Sequence, residues 1–278
     1  MPDLASRPAS GQPQLLFAAI LLALGTAPTQ AAPALIGDYV LSSGSFSNAV
    51  TGTAALGSLS PIVSSGSTGF VTGTASDAGW FWNGATAPGT GLILSGLPLN
   101  TGTGAGAAFG SYSIGMRFQF SEVSGYRRMI TFSPSEDAGM YVDAGKFNLY
   151  TPSASPISNF GGTITSGSFV DFVLTRSGAG SVTWYVNGSS TPALTAFPDT
   201  ANAGAVTSGS LQFFRDNTDG SEFSPAGRVS LLRIWNGPLA AADIPMAMVP
   251  EPSALALVGL GVAAILVGAR YRRRSLGR

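Results

Sequence analysis

Short stretches in which every second residue is apolar run along much of this sequence, and helical periodicity is nearly absent. In Tyr112–Phe120, five apolar residues share one side of an extended chain, and the residues between them are small or polar. The stretches 170–175 and 182–187 alternate in the same way, and the turn Ser177–Gly180 joins them. A period of two is typical of a strand with one buried face. The pattern therefore predicts antiparallel β-sheet, including a hairpin closed at its far end by Asn187-Gly188.

The alternation extends over most of the chain. Further strands are predicted at 127–132, 139–143, 146–150, 210–215 and 228–235. Glycine-bearing turns separate these short strands, and this spacing predicts an all-β antiparallel sandwich over residues 35–247. Residues 35–110 are less regular, but the apolar residues at 80–82 and 92–94 predict that this part adds strands to the same core. No linker or charge run marks a second domain.

The chain contains no cysteine and no histidine. Without cysteine, an exported protein has no disulfides and is stabilised by its core or by bound ions. Without histidine, the Ser-His-Asp and Cys-His catalytic arrangements and the HExxH zinc site are excluded. Any hydrolysis would depend on carboxylates alone, which leaves few classes of enzyme open.

Residues 1–31 have the features of a secretory signal peptide. A polar start with one arginine precedes the apolar stretch Leu15–Leu24, and Thr29–Ala31 offers small residues for cleavage. Cleavage near Ala32 or Ala34 would suit the pattern about as well. The alternative is a buried N-terminal helix. A membrane anchor is not expected here, because ten apolar residues are too few to span a bilayer.

The net charge of zero conceals an uneven distribution. Five of the fourteen basic residues lie beyond the apolar C-terminal stretch, and a sixth lies in the predicted signal peptide. The body between Ala32 and Pro250 has eight basic and twelve acidic residues, which is a net charge of −4. Because phosphate binding requires clustered positive charge, we expect no nucleic-acid partner.

The C-terminus combines three features in a fixed order. These are Pro250, Glu251 and Pro252, then the uncharged stretch 254–269, then Arg270, Arg272, Arg273 and Arg274. As a transmembrane helix the stretch would reach ~24 Å, slightly short of a ~30 Å hydrocarbon core, and arginine side chains can span the shortfall. The positive-inside rule makes these arginines a cytoplasmic stop-transfer signal, with the rest of the chain outside. A plain single-pass anchor behind a rigid linker is the alternative.

The three parts together resemble the PEP-CTERM sorting signal of Gram-negative bacteria, over residues 249–274. In that family the signal is recognised by exosortase, a membrane-embedded protease of transpeptidase-like type. The resemblance implies that Pro250, Glu251 and Pro252 are the recognition element and that the arginines are the stop. It also implies that the inner membrane holds the chain only transiently and that the mature protein lies at the cell surface or outside the cell.

A second resemblance lies at the end of the body. Residues 227–244, with an Ile-Trp-Asn turn and a short helical stretch, resemble the closing strand of the concanavalin A-like, laminin-G-like jelly roll. The order of the predicted strands from residue 110 onward also fits this family. Asp243 stands where the family has glutamate. The resemblance implies that Val229, Leu232 and Ile234 face inward, with a bulge between the first two.

Glucanases of this superfamily carry their catalytic carboxylates on one strand in a Glu-x-Asp-x-x-Glu arrangement, which aims alternate side chains into one groove. This chain has no such pattern. Glu136 and Asp137 are adjacent, and they lie in a predicted loop after Pro134. We therefore expect no enzymatic activity.

Acidic and amide residues cluster after the predicted strand at 210–215. They are Asp216, Asn217, Asp219 and Glu222. Oxygen ligands close together in a loop suit Ca²⁺, and members of the resembled family often bind calcium at the rim of the sandwich. An ordinary turn explains the same residues, because Asn, Asp and Gly have preferred positions in turns. The sequence leaves both interpretations open.

The four tryptophans raise the question of sugar stacking. Trp184 alternates with apolar residues of a predicted strand, and we assign it and Trp235 to the core. Trp80 and Trp82 fall on one side of an extended segment beside Asn83-Gly84. These two are therefore the better candidates for exposure and for stacking on glycan, with burial in the core as the alternative.

These features predict an exported, exosortase-sorted, lectin-like protein that contacts extracellular polysaccharide in a biofilm-type matrix. The export prediction rests on the two ends of the chain, and the glycan prediction rests on the resemblance. One alternative is a structural matrix protein without a specific ligand, which a charged fraction of only 10% suits. The other is a glycan hydrolase with an unrecognised pair of carboxylates.

Overall fold

A computed structural model describes nine parts of the chain. They are residues 32–72, 78–84, 89–98, 110–133, 137–150, 157–199, 204–206, 208–216 and 222–249. The predicted signal peptide and the predicted transmembrane stretch lie outside these ranges. Within the nine parts, none of the helices has the length and apolar character needed to cross a membrane.

The described residues form fifteen strands in two antiparallel sheets. The strands are β1 (Leu35–Val40), β2 (Ser60–Ile62), β3 (Ser67–Val71), β4 (Gly79–Asn83), β5 (Gly91–Ser95), β6 (Tyr112–Phe120), β7 (Arg127–Ser133), β8 (Ala138–Asp143), β9 (Lys146–Tyr150), β10 (Ile157–Phe160), β11 (Val170–Arg176), β12 (Ser181–Val186), β13 (Leu194–Pro198), β14 (Ser210–Phe213) and β15 (Ala226–Trp235). The eight-stranded sheet has the order β13-β12-β11-β6-β15-β4-β3, with β1 also paired to β15. The seven-stranded sheet has the order β10-β9-β8-β7-β14-β5-β2. The predicted antiparallel β-sandwich is confirmed.

Strand β15 joins the two halves of the eight-stranded sheet. One of its edges pairs with β6, and its other edge pairs first with β4 and then with β1. A bulge between Val229 and Leu231 shifts the register against β6. Val229, Leu232 and Ile234 are fully buried in the core. The inward positions and the bulge predicted for this strand are therefore confirmed.

The inner faces of the two sheets enclose a single large apolar core. In β6, the five apolar residues at alternate positions from Tyr112 to Phe120 are fully buried. Met140 and Val142 of β8 meet them from the seven-stranded sheet. Trp184 of β12 belongs to the same core, as predicted.

Left-handed backbone conformations occur where two of the strands, β12 and β14, end. Asn187 and Gly188 have φ angles of 54° and 70°, the left-handed conformation of a tight turn, and the Ser189 N–H donates to the carbonyl oxygen of Val186 across it at 3.2 Å. This turn ends β12 and begins the seven-residue connection to β13. Strand β14 ends at Phe213, two residues before its predicted end at 215. The reason is that Phe214 has a φ angle of 64° and places its ring in the core.

The residues after β15 fold back over the outer face of the eight-stranded sheet. We call residues Gly237–Val249 the C-terminal strap. It contains a 3-10 turn and the short helix α1 (Ile244–Ala247). Ile244, Ala247 and Met248 are buried in a second apolar cluster with Trp235. Trp235 is therefore buried, although it lies under the strap rather than between the sheets.

Arg233 fixes the end of the strap. On the outer face of β15, its Nε atom donates to Asp38 Oδ1 of β1 at 2.9 Å. Its Nη1 atom donates to the carbonyl oxygens of Ala247 and Val249 at 2.9 and 2.7 Å. The last described residue is therefore hydrogen-bonded to the sandwich, one position before Pro250.

Candidate functional site

Five side chains from separate segments meet on the outer face of the seven-stranded sheet. They are Arg128 of β7, Asp137 just before β8, Tyr141 of β8, Asp216 after β14 and Glu222 before β15, and we call them the Arg128 cluster. Strand β7 pairs with β8 on one side and β14 on the other, so the residues at its start receive neighbours from both. Tyr141 points outward because it lies between the core residues Met140 and Val142.

The guanidinium of Arg128 is fully buried at the centre of this cluster. Its Nε and Nη2 atoms donate to Asp216 Oδ1 at 3.1 and 2.6 Å, and Nη2 also donates to Asp137 Oδ1. The Oε2 atom of Glu222 lies 3.9 Å from Nη2. The Tyr141 ring covers the guanidinium, with its centroid 3.8 Å from Cζ. Arg128 therefore neutralises part of the charge of three carboxylates and stacks on an aromatic face.

Gly139 makes room for this arrangement. A Cβ atom at Gly139 would lie 2.1 Å from Arg128 Nη1 and 2.4 Å from the carbonyl oxygen of Ile130. No side chain fits there, so only glycine at this position of β8 lets the guanidinium lie flat against the sheet.

Burial shifts the titration of two members of the cluster. It raises the pKa of Tyr141 well above the ordinary range, so the phenol keeps its proton and donates to Asp137 Oδ1 at 2.7 Å. Burial also raises the pKa of Glu222, and the carboxylates of Asp137 and Asp216 act in the same direction. A hydrogen bond with Tyr141 and the charge of Arg128 oppose this rise in the pKa of Glu222.

Part of the cluster reaches solvent. The side chains of Asp137 and Glu222 are 34% and 36% exposed, whereas Asp216 is buried. One guanidinium and three carboxyl groups make the exposed part electronegative. It can accept hydrogen bonds from neutral hydroxyl groups, and it would repel anions.

Two further tyrosines flank the cluster. Tyr126 and Tyr150 each make an edge-to-face contact with Tyr141, at centroid distances of 6.4 and 6.3 Å. Tyr126 is 50% exposed, and its φ angle of 55° is unusual for a bulky residue. Such backbone strain persists only where the surroundings enforce it, and it occurs often at binding sites. Together the tyrosines and the exposed carboxylates offer aromatic faces beside hydrogen-bond acceptors.

The structure brings together two of the four residues in the calcium prediction. Asp137, Asp216 and Glu222 each offer an oxygen within 4.8 Å of the others, a spacing that a metal ion could use. However, Asp216 Oδ1 accepts two hydrogen bonds from Arg128, so the guanidinium already supplies a positive charge there. Asn217 and Asp219 lie outside the described residues. The carboxylate oxygens in the described part of the chain fit an arginine-centred cluster better than a calcium site at Asp216. Calcium binding stays a prediction.

The prediction that Trp80 and Trp82 are exposed for glycan stacking is wrong. Both lie on one face of β4, as expected, but that face is the inner one, and each side chain is 1% exposed. Trp82 stacks on Phe214 with a centroid distance of 4.4 Å, and its Nε1 atom donates to the carbonyl oxygen of Ser224 at 3.1 Å. A Cβ atom at Gly227 of β15 would lie 2.3 Å from Trp82 Cζ2, so this glycine leaves room for the indole.

Sequence reasoning missed Arg128, Tyr126 and Tyr141, and it treated Asp137 only as a loop residue. The reason is their separation along the chain, since Arg128 and Asp216 are 88 positions apart. One signal was available. Arg128 lies next to Met129-Ile130 within a predicted strand, where a charged residue needs a partner.

One oxygen of each carboxylate in the cluster lies closer to the others than the catalytic carboxyl groups of a glycan hydrolase lie to each other. Catalytic carboxyl groups are about 5–5.5 Å apart in retaining enzymes and about 6.5–9.5 Å apart in inverting enzymes. In the cluster the oxygens lie within 4.8 Å of one another, and both aspartates are ion-paired to the same guanidinium. This pairing keeps the charge of the aspartates engaged with Arg128.

The residues assigned to sorting lie outside the described ranges. They are Pro250, Glu251, Pro252, Arg270, Arg272, Arg273 and Arg274. The structure describes the chain up to Val249 in the strap, which leads directly into them.

Comparison with solved structures supports the fold. Domain 4 of AbnA, a GH43 extracellular arabinanase from Geobacillus stearothermophilus solved in complex with arabinotriose, is 16% identical with a TM-score of 0.54; the match covers 78% of this chain and 98% of that domain. The binding domain of Paraclostridial Mosquitocidal Protein 1 is 11% identical with a TM-score of 0.50. That match covers 76% of this chain and about half, 51%, of the other. No curated protein sequence matches the chain.

Comparison with protein families covers both the sandwich and the tail. The model of the concanavalin A-like lectin/glucanases superfamily matches residues 98–245, which is more than half of the chain. The model of the PEP-CTERM protein-sorting motif matches residues 249–274. Both resemblances predicted from the sequence are thus confirmed. The chain belongs to the concanavalin A-like lectin/glucanases superfamily and carries a PEP-CTERM protein-sorting motif.

Proposed function

We propose that this protein is an exported, lectin-like module that binds extracellular polysaccharide at the outer face of its seven-stranded sheet. Residues 1–31 direct export, and exosortase processes the chain at the PEP-CTERM motif. The inner membrane holds the precursor by the stretch 254–269, and the mature protein acts at the cell surface or in a biofilm-type matrix.

The observation that carries the glycan proposal is Tyr126 beside the Arg128 cluster. A half-exposed tyrosine in a strained backbone conformation contacts the ring of Tyr141, which donates to the partly exposed carboxylate of Asp137. Sugars present apolar C–H faces and neutral hydroxyl groups. An aromatic face with adjacent acceptors is therefore complementary to them, and a buried arginine that fixes the carboxylates reduces the entropy lost on binding.

Two further observations favour this class of ligand. The AbnA domain of similar fold was solved with arabinotriose bound, which is an oligosaccharide. The body of this chain has a net charge of −4 and an electronegative cluster, so anionic ligands such as nucleic acid are disfavoured.

We propose that the module is non-catalytic. The absence of histidine leaves only carboxylates for hydrolysis, and the best cluster of carboxylates is engaged with Arg128. Its role is then to hold glycan rather than to cleave it.

Replacing Tyr126 with asparagine is expected to weaken glycan binding about five- to tenfold, because one aromatic contact is worth roughly 1 kcal/mol. Asparagine tolerates the left-handed backbone of this position, so the fold should be unaffected. The measurement is titration calorimetry of the full-length protein with the best ligand from a glycan array, with and without calcium.

Val63→Asn is the matched control, because Val63 is exposed to a similar degree, 55%, and follows strand β2, which is separated from β7 by two strands. Equal affinity in the two variants would contradict the position of the site. An array on which the wild-type protein binds no glycan would contradict the lectin proposal and favour a structural matrix protein.

Replacing Glu251 with alanine is expected to abolish processing, because the carboxylate belongs to the proposed recognition element. In a host with the matching exosortase, the longer, membrane-held form should accumulate on immunoblots at the expense of the processed form. Asp243→Ala removes a nearby acid, which is exposed in the strap, and this variant should be processed normally. Unchanged processing of the Glu251 variant would reduce the tail to a plain anchor.

A further inference from the structure

The outward face of the C-terminal strap is apolar and exposed. Between Trp235 and Glu251 the sequence carries a single charge, on Asp243. Met246 is 69% exposed and Val249 is 44% exposed, which places both among the exposed large apolar side chains of the described residues. Ala241 and Ala242 are exposed beside them. Exposed apolar residues grouped on one element need an explanation, whereas single ones do not.

The strap is held firmly enough to present this face. Its inner residues Ile244, Ala247 and Met248 are buried against Trp235. Arg233 also donates a hydrogen bond to the carbonyl oxygen of Ala247. A Cβ atom at Gly115 of β6 would lie 2.6 Å from Met248 Sδ, so the sheet has a glycine where the methionine packs. Met246 and Val249 are exposed beside these buried residues, so their side chains point away from the sheet.

The length of the chain beyond Val249 limits how far the strap can be from a membrane. Only four residues, 250–253, separate Val249 from the apolar stretch 254–269. Four intervening residues make five Cα–Cα steps, so even a fully extended connection from Val249 spans at most about 17–18 Å. The interfacial layer that they must cross is itself about 5–8 Å thick on each side of the bilayer. A precursor whose apolar stretch is inserted therefore has the end of its strap no more than about 9–13 Å from the headgroup layer.

We propose that the outward face of the strap, centred on Met246 and Val249, contacts the lipid bilayer while the sorting tail is still attached. This proposal rests on the membrane-held precursor of the proposed function. Two apolar side chains alone would bind lipid weakly. The tether makes the contact intramolecular, however, and thereby raises the effective concentration of the bilayer at the strap.

The contact orients the precursor. The strap covers the outer face of the eight-stranded sheet, whereas the Arg128 cluster lies on the outer face of the seven-stranded sheet. When the strap lies on the bilayer, the cluster faces away from it. Pro250–Pro252 is then held at headgroup level, where a membrane-embedded protease can reach it, and the glycan site is already open to the medium.

The absence of cysteine provides a direct test. Met246→Cys is introduced into the full-length chain, labelled with an environment-sensitive nitrobenzoxadiazole probe, and reconstituted into vesicles of phosphatidylethanolamine and phosphatidylglycerol. We expect a blue-shifted emission and a loss of intensity when doxyl-labelled lipids are included. Val249→Cys should behave in the same way. Val63→Cys, which is similarly exposed but lies in the loop after β2, should keep the emission of a probe in water.

Vesicle flotation, measured in parallel, separates the possible failures. If the labelled protein floats with the vesicles but the probes at 246 and 249 resemble the probe at 63, the proposed contact is overturned and the membrane-held precursor stands. If the probes are shielded from water but doxyl lipids do not quench them, a protein surface such as a second copy covers the strap, and the lipid assignment is overturned. If the protein does not float, both the contact and the membrane-held precursor are overturned.

Discussion

Replacing Arg128 with methionine is expected to lower the free energy of unfolding by about 3–5 kcal/mol, the range found when one partner of a buried ion pair is removed. Arg128 is fully buried, and its guanidinium is the positive group that contacts Asp137 and Asp216. Without it, the buried carboxylate of Asp216 loses its two hydrogen bonds from the arginine, and three carboxyl groups remain within 4.8 Å of one another. Urea denaturation followed by tryptophan fluorescence measures the loss.

The loss caused by Arg128→Met should also depend on pH. Burial already raises the pKa of Glu222, and removing the guanidinium removes a charge that opposes this rise. A carboxyl group whose pKa is higher in the folded than in the unfolded state binds protons more tightly when folded. Its contribution to stability is therefore greatest below the unfolded pKa and is lost as the pH rises through the folded pKa. The variant should accordingly be closer to the wild type at pH 5 than at pH 7.

Arg117→Met is the matched control. Arg117 also pairs with a carboxylate, Asp171 at 3.1 Å, but its side chain is 37% exposed. Exposed pairs contribute about 0–1 kcal/mol, so this variant should be nearly as stable as the wild type. If the two variants lose stability equally, or if Arg128→Met gains stability on raising the pH, the cluster is not held together by its buried arginine.

Replacing Trp82 with alanine is expected to cost about 3–5 kcal/mol of stability, as is typical of large aromatic residues removed from a packed core. The indole is stacked between Trp80 and Phe214, at centroid distances of 5.5 and 4.4 Å. It also donates a hydrogen bond to Ser224. Removal leaves a cavity against Gly227, which has no side chain to fill it. Thermal unfolding monitored by circular dichroism measures the change.

Trp82→Phe keeps an aromatic ring at the position and should lose less stability than Trp82→Ala, because most of the packing is retained. The two variants also discriminate between the core role and a sugar-stacking role. A stable Trp82→Ala protein that had lost only glycan binding would mean that Trp82 is an exposed platform, contrary to its burial in the structure.

The fold places the strap and the Arg128 cluster, to which we assign the two proposed roles, on opposite sides of the sandwich. Strand β15 leads into the strap, which is packed on one outer face and ends at the sorting motif. Strands β7, β8 and β14 carry the Arg128 cluster on the other face. A sandwich can serve both roles because each sheet has an outer face that the core does not use.

The strands were predictable from the sequence wherever one face alone is buried. The strand predicted at Tyr112–Phe120 coincides with β6, because alternation records directly which side chains face the core. The bulge in β15 was implied by the family resemblance instead. The strands β1 to β3 were not placed, because the segment that holds them is rich in small residues and its alternation is weak. The same alternation put Trp80 and Trp82 on one face, but it could not tell which face is the inner one.

The predicted export signal and the sorting motif are local properties of contiguous residues, so the amino-acid sequence alone is enough to identify them. The short-range alternation of apolar and polar residues likewise predicts the antiparallel β class. Only the tertiary structure decided that Arg128 neutralises Asp137 and Asp216, that Trp82 is enclosed by Phe214, and that the strap ends bonded to Arg233. These contacts join residues far apart in the chain. Their existence therefore depends on how the two sheets pair and pack, which no local pattern specifies.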